Sequence, residues 1–193
     1  MPSLGHVAVG LAVARLERKP EAMSLNGWRV GLVALSVLPD LDVVAFALGI
    51  PYAAPWGHRG AAHSLAIAAM CGLACGLAAR IYGAGAVRMA MVGGLVTATH
   101  GLLDTLTDGG LGIALLWPWS NHRFFAPWRP IPVAPIGAAL LSARGLEVMA
   151  VEAVMFLPLF IIGLWPAALS PRGKPSPPRP RSRARAGPNG RRS

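Results

Sequence analysis

Charge is scarce in this chain. Asp, Glu, Lys and Arg make up only 13% of its 193 residues. Soluble domains carry about 25%, so an ordinary water-solvated surface is excluded. Cysteine is nearly absent. Cys71 and Cys75 stand one helical turn apart in an apolar run, a spacing that excludes a disulfide framework and suits two small core residues. The N-terminus lacks the basic region that opens a secretory signal, because its basic residues follow the apolar stretch 4–14 rather than precede it; the segment reads as retained. No His-Glu-x-x-His sequence occurs, which disfavours peptide cleavage of that zinc type. No internal repeat is visible, which disfavours an inverted-repeat transporter.

What the chain does have is apolar length. Hydrophobic residues make up 54% of it. Residues 30–50, 61–79, 89–107 and 145–169 form four apolar runs, and residues 4–16 form a fifth that is too short to span a bilayer. The pattern predicts an all-α, polytopic membrane helix bundle. It should have about four transmembrane helices plus a short N-terminal half-helix. The second run is rich in Ala and Gly, which let membrane helices approach closely. Trp117, Trp119, Phe124, Phe125 and Trp128 crowd one segment, a density that suits the membrane–water interface.

The sequence pI near 11.4 looks like a nucleic-acid signal. However, eight of the 18 basic residues lie in 171–193. That Pro/Arg-rich stretch cannot bury a core and is expected to be a disordered tail. Residues 1–170 are then the membrane-embedded domain, with no specific nucleic-acid partner. Loop 15–29, turn 80–88 and the tail fall on one side of a four-span arrangement. The positive-inside rule places that side, and the C-terminus, in the cytoplasm.

The polar residues within the runs carry the functional signal. Ionisable groups in lipid cost about 2.5–3.5 kcal/mol each on insertion scales, so each needs a partner or a task. Counting about 1.5 Å per helical residue from Arg29 and Arg88 brings Asp40, Asp42, His100 and Asp104 to one level, toward the face opposite the tail. His63 enters from that face. His100 and Asp104 are four residues apart and share a helix face. Imidazole with carboxylate suits zinc or a similar divalent ion. Asp40 follows Pro39, which breaks its helix, and freed backbone at that depth belongs beside a polar cavity or buried in protein. His63 is a further ligand candidate, with His58 or Arg59 facing substrate. Taken singly, His6 reads equally well as a helix–helix hydrogen-bond partner, His122 as a surface residue, and Glu147 as a residue at a span's edge. Glu152 reads as a partner for an arginine.

Four motifs in order resemble the YdjM-like family of bacterial membrane-bound, metal-dependent hydrolases. They are Gly5-His6, Leu38-Pro39-Asp40-Leu41-Asp42, His58-Arg59-Gly60-Ala61-Ala62-His63-Ser64 and His100-Gly101-Leu102-Leu103-Asp104. Trp117-Pro118-Trp119-Ser120 followed by Arg123-Phe124 resembles that family's next segment. A more distant similarity is to the zinc-dependent phospholipase C and P1 nuclease group. Its early His, mid-chain Asp, following His and His-x-x-x-Asp helix match His6, Asp40 or Asp42, His63, and His100 with Asp104. The resemblance implies a bacterial inner-membrane hydrolase with a divalent ion, zinc first among candidates. His6, Asp40, His63, His100 and Asp104 would be its ligands. Asp42 or the second oxygen of Asp40 would act as base. Arg59 would clamp a phosphate, and His58 would protonate the leaving group. The expected substrate is a phosphoester or lipid-like amphiphile. Two rival readings are a metal or proton conduit using the same His/Asp cluster, and a structural membrane protein whose basic tail binds anionic lipid or nucleic acid.

Overall fold

A computed structural model describes residues 3–166, and the regular structure among them is helical, with two isolated β-bridges and no strand. The tail expected to be disordered lies outside the described residues. Seven helices form the bundle: α1 (Ser3–Leu16), α2 (Leu25–Val37), α3 (Val44–Ala47), α4 (Leu65–Ile81), α5 (Ala86–Thr105), α6 (Ala143–Met155) and α7 (Leu157–Leu164). Three of them start on a serine cap. The hydroxyls of Ser24, Ser64 and Ser142 accept from the backbone N–H groups of Gly27, Ile67 and Gly145 at 3.0, 3.2 and 3.2 Å, each satisfying an orphan donor of the first turn.

α1 is the axis of the molecule. It packs against α2, α5, α6 and α7. Ala8, Ala12 and Ala14 are buried, and small residues bring the backbones together. A side chain at Gly10 would strike the Val33 backbone, its Cβ 2.6 Å from Val33 Cα. α4 and α5 form an antiparallel hairpin on the same principle, since a Cβ at Gly72 would lie 2.5 Å from the Ala90 carbonyl oxygen. The Ala/Gly bias of the second run thus has a structural cause. Trp28 anchors the α1–α2 crossing; its indole N–H donates to the Ala14 carbonyl at 3.1 Å.

The outer surface is apolar. Val30, Met70, Leu73, Val87, Leu95 and Val154 are all exposed, a belt that water would not tolerate and hydrocarbon would. The stretch Leu25–Ala47 (23 residues) and α5 (20 residues) are long and apolar enough to cross a membrane. α6 and α7 make a third span only if counted as one bent element, because they meet at 65°. The helical membrane bundle is as expected, but two of the four runs are shortened for identifiable reasons. α4 begins only at Leu65, because His63 sits in a 3-10 turn and Ser64 is the cap. The last run breaks at Phe156, just before Pro158 enters the first turn of α7. The break seats the Phe156 ring against Gly5 of α1.

Two faces emerge. Arg88 reaches Glu17 (3.4 Å) and the Arg18 carbonyl (2.7 Å). Arg29 donates to the Gly163 carbonyl at 3.3 Å. Loop 15–29, the α4–α5 turn and the end of α7 therefore share one face. Asp40, loop 51–60, His63 and the end of α5 lie at the other.

Candidate metal centre

Pro39 initiates the site. α2 ends at Val37, and Leu38–Val43 tightens into a 3-10 turn. In that register the Ser36 carbonyl would look to residue 39, but proline has no N–H to give. The oxygen instead lies 2.7 Å from Nδ1 of His100. Nδ1 therefore carries the proton, and Nε2 is left bare toward the interior. Asp40 and Asp42, two residues apart in a three-residue turn, leave it in directions about 120° apart. They consequently do different work.

Asp40 joins the central cluster. Its Oδ1 lies 3.1 Å from His100 Nε2 and 3.4 Å from His63 Nε2. His63 Nε2 is also 3.1 Å from His100 Nε2 and 3.4 Å from Asp104 Oδ2. One ligand atom from each of Asp40, His63, His100 and Asp104 falls within 4.8 Å of all the others. Ligand atoms about 2.0–2.1 Å from a tetrahedral zinc stand roughly 3.3–3.4 Å apart, so the spacing suits a small divalent ion. His6 stacks on His100 with ring centroids 3.6 Å apart and places Nε2 3.4 Å from Asp104 Oδ1. It thus meets the second oxygen of Asp104 and stands beside the four-atom cluster rather than within it.

Asp42 faces the other way. Its Oδ1 is 2.6 Å from His58 Nδ1, and its Oδ2 accepts the Arg59 backbone N–H at 3.0 Å. Oδ2 also lies 3.1 Å from His63 Nδ1, poorly aligned for a hydrogen bond. Asp42, His58 and His63 form a second group able to hold a metal. A contact of 2.6 Å, though, is that of a shared proton, with no room for an ion between the atoms. By geometry Asp42 is placed to orient two imidazoles and Asp40 to face the four-atom cluster, where the family likeness had allowed either at the ligand position.

Both oxygens of Asp104 and both ring nitrogens of His6 are buried without a hydrogen-bond partner among the described residues. Such groups are costly unless a cation meets them. Arg59 supplies one charge, with Nε 3.5 Å from Asp104 Oδ2. Three carboxylates against one guanidinium leave a negative balance that a divalent ion would offset. His63 carries the same signature. Burial alone would lower its pKa, but the carboxylates of Asp104, Asp40 and Asp42, 3.1–3.4 Å from its ring nitrogens, outweigh that and hold it well above the usual imidazole value.

Arg59 adopts φ 62°, rare outside glycine, and its side chain turns inward to full burial. Nη1 donates to Thr107 Oγ1 (3.0 Å) and the Gly109 carbonyl (2.8 Å), while Nη2 has no hydrogen-bond partner among the described residues. A Cβ on Gly110, itself at φ 86°, would lie 2.7 Å from Nη1. His58 is equally buried, with its Nε2 unpartnered. The Asp40 side chain is 15% exposed and that of Asp42 7%, so the cluster opens on their side.

Two residues support the site in ways the sequence did not show. Arg123 gathers the carbonyls of Tyr52, Ala54, His58 and Gly112 at 3.1–3.4 Å. It thereby fixes the loop that presents His58 and Arg59, and burial lowers its pKa. Its place in the Trp117–Phe124 segment was the available signal. Glu152 is fully buried on α6, and its Oε2 accepts the Leu4 N–H at 2.8 Å. Its partner is therefore the start of α1 rather than an arginine. His122 is exposed, Asp108 caps Val133 N–H at 2.7 Å, and Glu147 pairs with Arg144 at 3.0 Å; these three stand outside the cluster.

A family model described as YdjM inner membrane protein matches residues 1–170, and the chain belongs to that family. A curated relative, inner membrane protein YbcI of Escherichia coli (strain K12), is 44% identical over 104 residues, 53% of this chain and 60% of the relative. The chain thus spans about three fifths of the relative it matches. No solved structure matches.

Proposed function

We propose that this member of the YdjM inner membrane protein family is a metal-dependent hydrolase acting on a phosphoester, most simply one borne by a membrane amphiphile. The observation that carries the reading is the convergence of Asp40, His63, His100 and Asp104 within 4.8 Å in an apolar bundle, with orphaned buried atoms on Asp104 and His6 beside it. Packing alone does not need that conjunction.

Those four residues would hold the ion, zinc being the first candidate, with His6 on the far oxygen of Asp104. When bound, such an ion supplies Lewis acidity and acidifies water toward neutral pH. The chain's own groups divide the remaining work. Asp40, at the opening, keeps its second oxygen as a proton acceptor. Asp42, engaged by His58, His63 and the Arg59 backbone, orients rather than reacts. His58 donates Nδ1–H to Asp42, which leaves Nε2 to hold a proton for a leaving oxygen. Arg59 has one unspent donor, Nη2, for a phosphoryl oxygen. The C-terminal tail is assigned to the cytoplasmic side by its basic charge, so the opening faces the outer leaflet.

The test is metal content followed by turnover. Protein purified in detergent should carry about one equivalent or more of zinc or a similar ion. Asp104→Asn and His63→Ala should both lose it. Release of phosphate or headgroup from phosphoester amphiphiles should stop with chelator and return with metal. A metal-free parent, or variants with unchanged metal, would overturn the reading. Metal-dependent ion flux without hydrolysis would favour a conduit instead.

A further inference from the structure

The face opposite the metal centre carries an open cavity. It has a volume of about 300 Å³ and is lined by Ala14, Arg15, Glu17, Lys19, Leu25 and Arg29. It lies where α1 ends and α2 begins. His6 to Arg15 is nine helical residues, about 14 Å along the axis, so this cavity is separate from the His/Asp cluster.

Its walls are cationic in excess. Three basic side chains line it against one carboxylate, and that carboxylate is taken, since Glu17 Oε2 pairs with Arg88 at 3.4 Å. Two of the three cations are held in place but not neutralised. Lys19 Nζ donates to the Met23 carbonyl at 3.0 Å, and Arg29 Nη2 donates to the Gly163 carbonyl at 3.3 Å. Both partners are neutral oxygens. The Nε atoms of Arg15 and Arg29 are buried and have no hydrogen-bond partner among the described residues. Buried guanidinium donors without acceptors are costly, and they are satisfied most readily by an oxyanion that accepts from several at once.

The surroundings narrow the ligand. Leu25 begins the stretch Leu25–Ala47, the longest membrane-crossing candidate among the described residues. The cavity is therefore at headgroup depth, with apolar helix surface on one side of it. Exposed Val30 continues α2 away from it toward the hydrocarbon. Basic pockets between helices at this depth suit phosphate-bearing headgroups.

We propose that Arg15, Lys19 and Arg29 form a phosphoryl-anion site, separate from the metal centre, whose ligand is the phosphate of an anionic phospholipid or free phosphate. The arginine forks grip the phosphoryl oxygens, and Lys19 adds charge at the rim. An occupant there would tie the end of α1 to the start of α2 and, through Arg29 and Gly163, to the end of α7. It would thereby brace the helix that carries His6.

The experiment uses the full chain, delipidated in a neutral detergent. Binding is measured by native mass spectrometry and by thermal shift with three probes: dioctanoyl phosphatidylglycerol, dioctanoyl phosphatidylcholine and inorganic phosphate. Phosphatidylglycerol should bind and raise the melting temperature, phosphatidylcholine should bind at least about tenfold more weakly, and added salt should weaken both. Arg15→Gln and Arg29→Gln should each weaken phosphatidylglycerol binding about tenfold or more. Arg144→Gln, on the far face, should leave it unchanged. Should the Gln variants fail to fold, Arg15→Lys keeps charge and stem and should still lose several-fold, because the fork is gone. Phosphatidylglycerol binding that phosphate cannot replace assigns the lipid as source. Phosphate binding of equal strength assigns the free anion. Equal binding of both lipids with no response to phosphate, or binding indifferent to Arg15 and Arg29, would overturn the site, whatever metal the protein carries.

Discussion

At the scale of single residues, the division of labour between Asp40 and Asp42 is the sharpest consequence of the structure. Both belong to Leu38-Pro39-Asp40-Leu41-Asp42, and nothing in their spacing says which one ligates. The 3-10 turn decides, by aiming Asp40 at His63 and His100 and Asp42 at the Nδ1 sides of His58 and His63. Removing a carboxylate behind a ligating imidazole costs about 10–100-fold in metal affinity. Asp42→Asn should therefore weaken metal binding by that factor, whereas Asp40→Asn should approach the full loss of Asp104→Asn. Competition titration with a fluorescent chelator separates the two, and equal losses would return the pair to equivalence. His63 carries a second residue-scale prediction. Its folded pKa is raised by its carboxylate partners. In the metal-free protein its contribution to stability is thus full below about pH 6.5, the ordinary imidazole value, and lost as pH rises through the folded pKa. A bound ion takes the proton's place. The melting temperature of chelator-treated protein should fall relative to metal-loaded protein as pH is raised above 6.5, and metal uptake near pH 7 should release protons. A gap between the two forms that does not widen with pH would contradict this.

At the scale of elements, much of the site was legible and some was not. His100 and Asp104 declare themselves, because a four-residue spacing in an apolar run fixes their shared face. The Pro39 break is legible as well, though not its destination: the freed Ser36 carbonyl goes to His100, 64 residues away. Glu152 was opaque. An acidic residue in a last apolar run suggests a cationic partner, yet its acceptor oxygen meets a backbone N–H 148 residues distant, and no side-chain pattern encodes that. Its place at the start of α1, two residues before His6, gives it a task. It holds the register of the helix that brings His6 to Asp104. Glu152→Ala should weaken metal binding several-fold, and Glu152→Gln, which keeps an acceptor oxygen, should restore most of it. In a His6→Ala background the Glu152→Ala effect should vanish if Glu152 acts through His6; an undiminished effect would reduce Glu152 to a general support of α1. Gly101 makes the matching point for α4 and α5. A Cβ there would collide with the His63 carbonyl oxygen. Gly101→Ala should cost about 1–3 kcal/mol in stability and should lower metal content as well, because the atom displaced belongs to a candidate ligand residue.

At the scale of the whole molecule, the sequence placed loop 15–29, turn 80–88 and the tail on one side by counting charge. The ion pair and hydrogen bonds of Arg88 and Arg29 place the first two and the end of α7 on one face by geometry. The count of spans was harder to read, because hydropathy cannot see the 65° bend between α6 and α7 or the late start of α4. The two-faced architecture fixes how the metal centre meets solvent. The candidate ligands on α1, α5 and the 58–63 segment are sealed, and the exposed fraction belongs to Asp40 and Asp42. A chelator must therefore approach from the face opposite Arg15, Arg29 and Arg88, about 14–24 Å of helix away. If the basic face is cytoplasmic, a membrane-impermeant chelator added to spheroplasts should strip the metal. The same chelator added to inverted vesicles should leave it in place until detergent is supplied. Reversed behaviour would turn the protein over in the bilayer while keeping its one-sided opening. Equal stripping from both sides would mean that the packing of α1 against α2, α6 and α7 does not seal the basic face, and the picture of a single mouth beside Asp40 would fail.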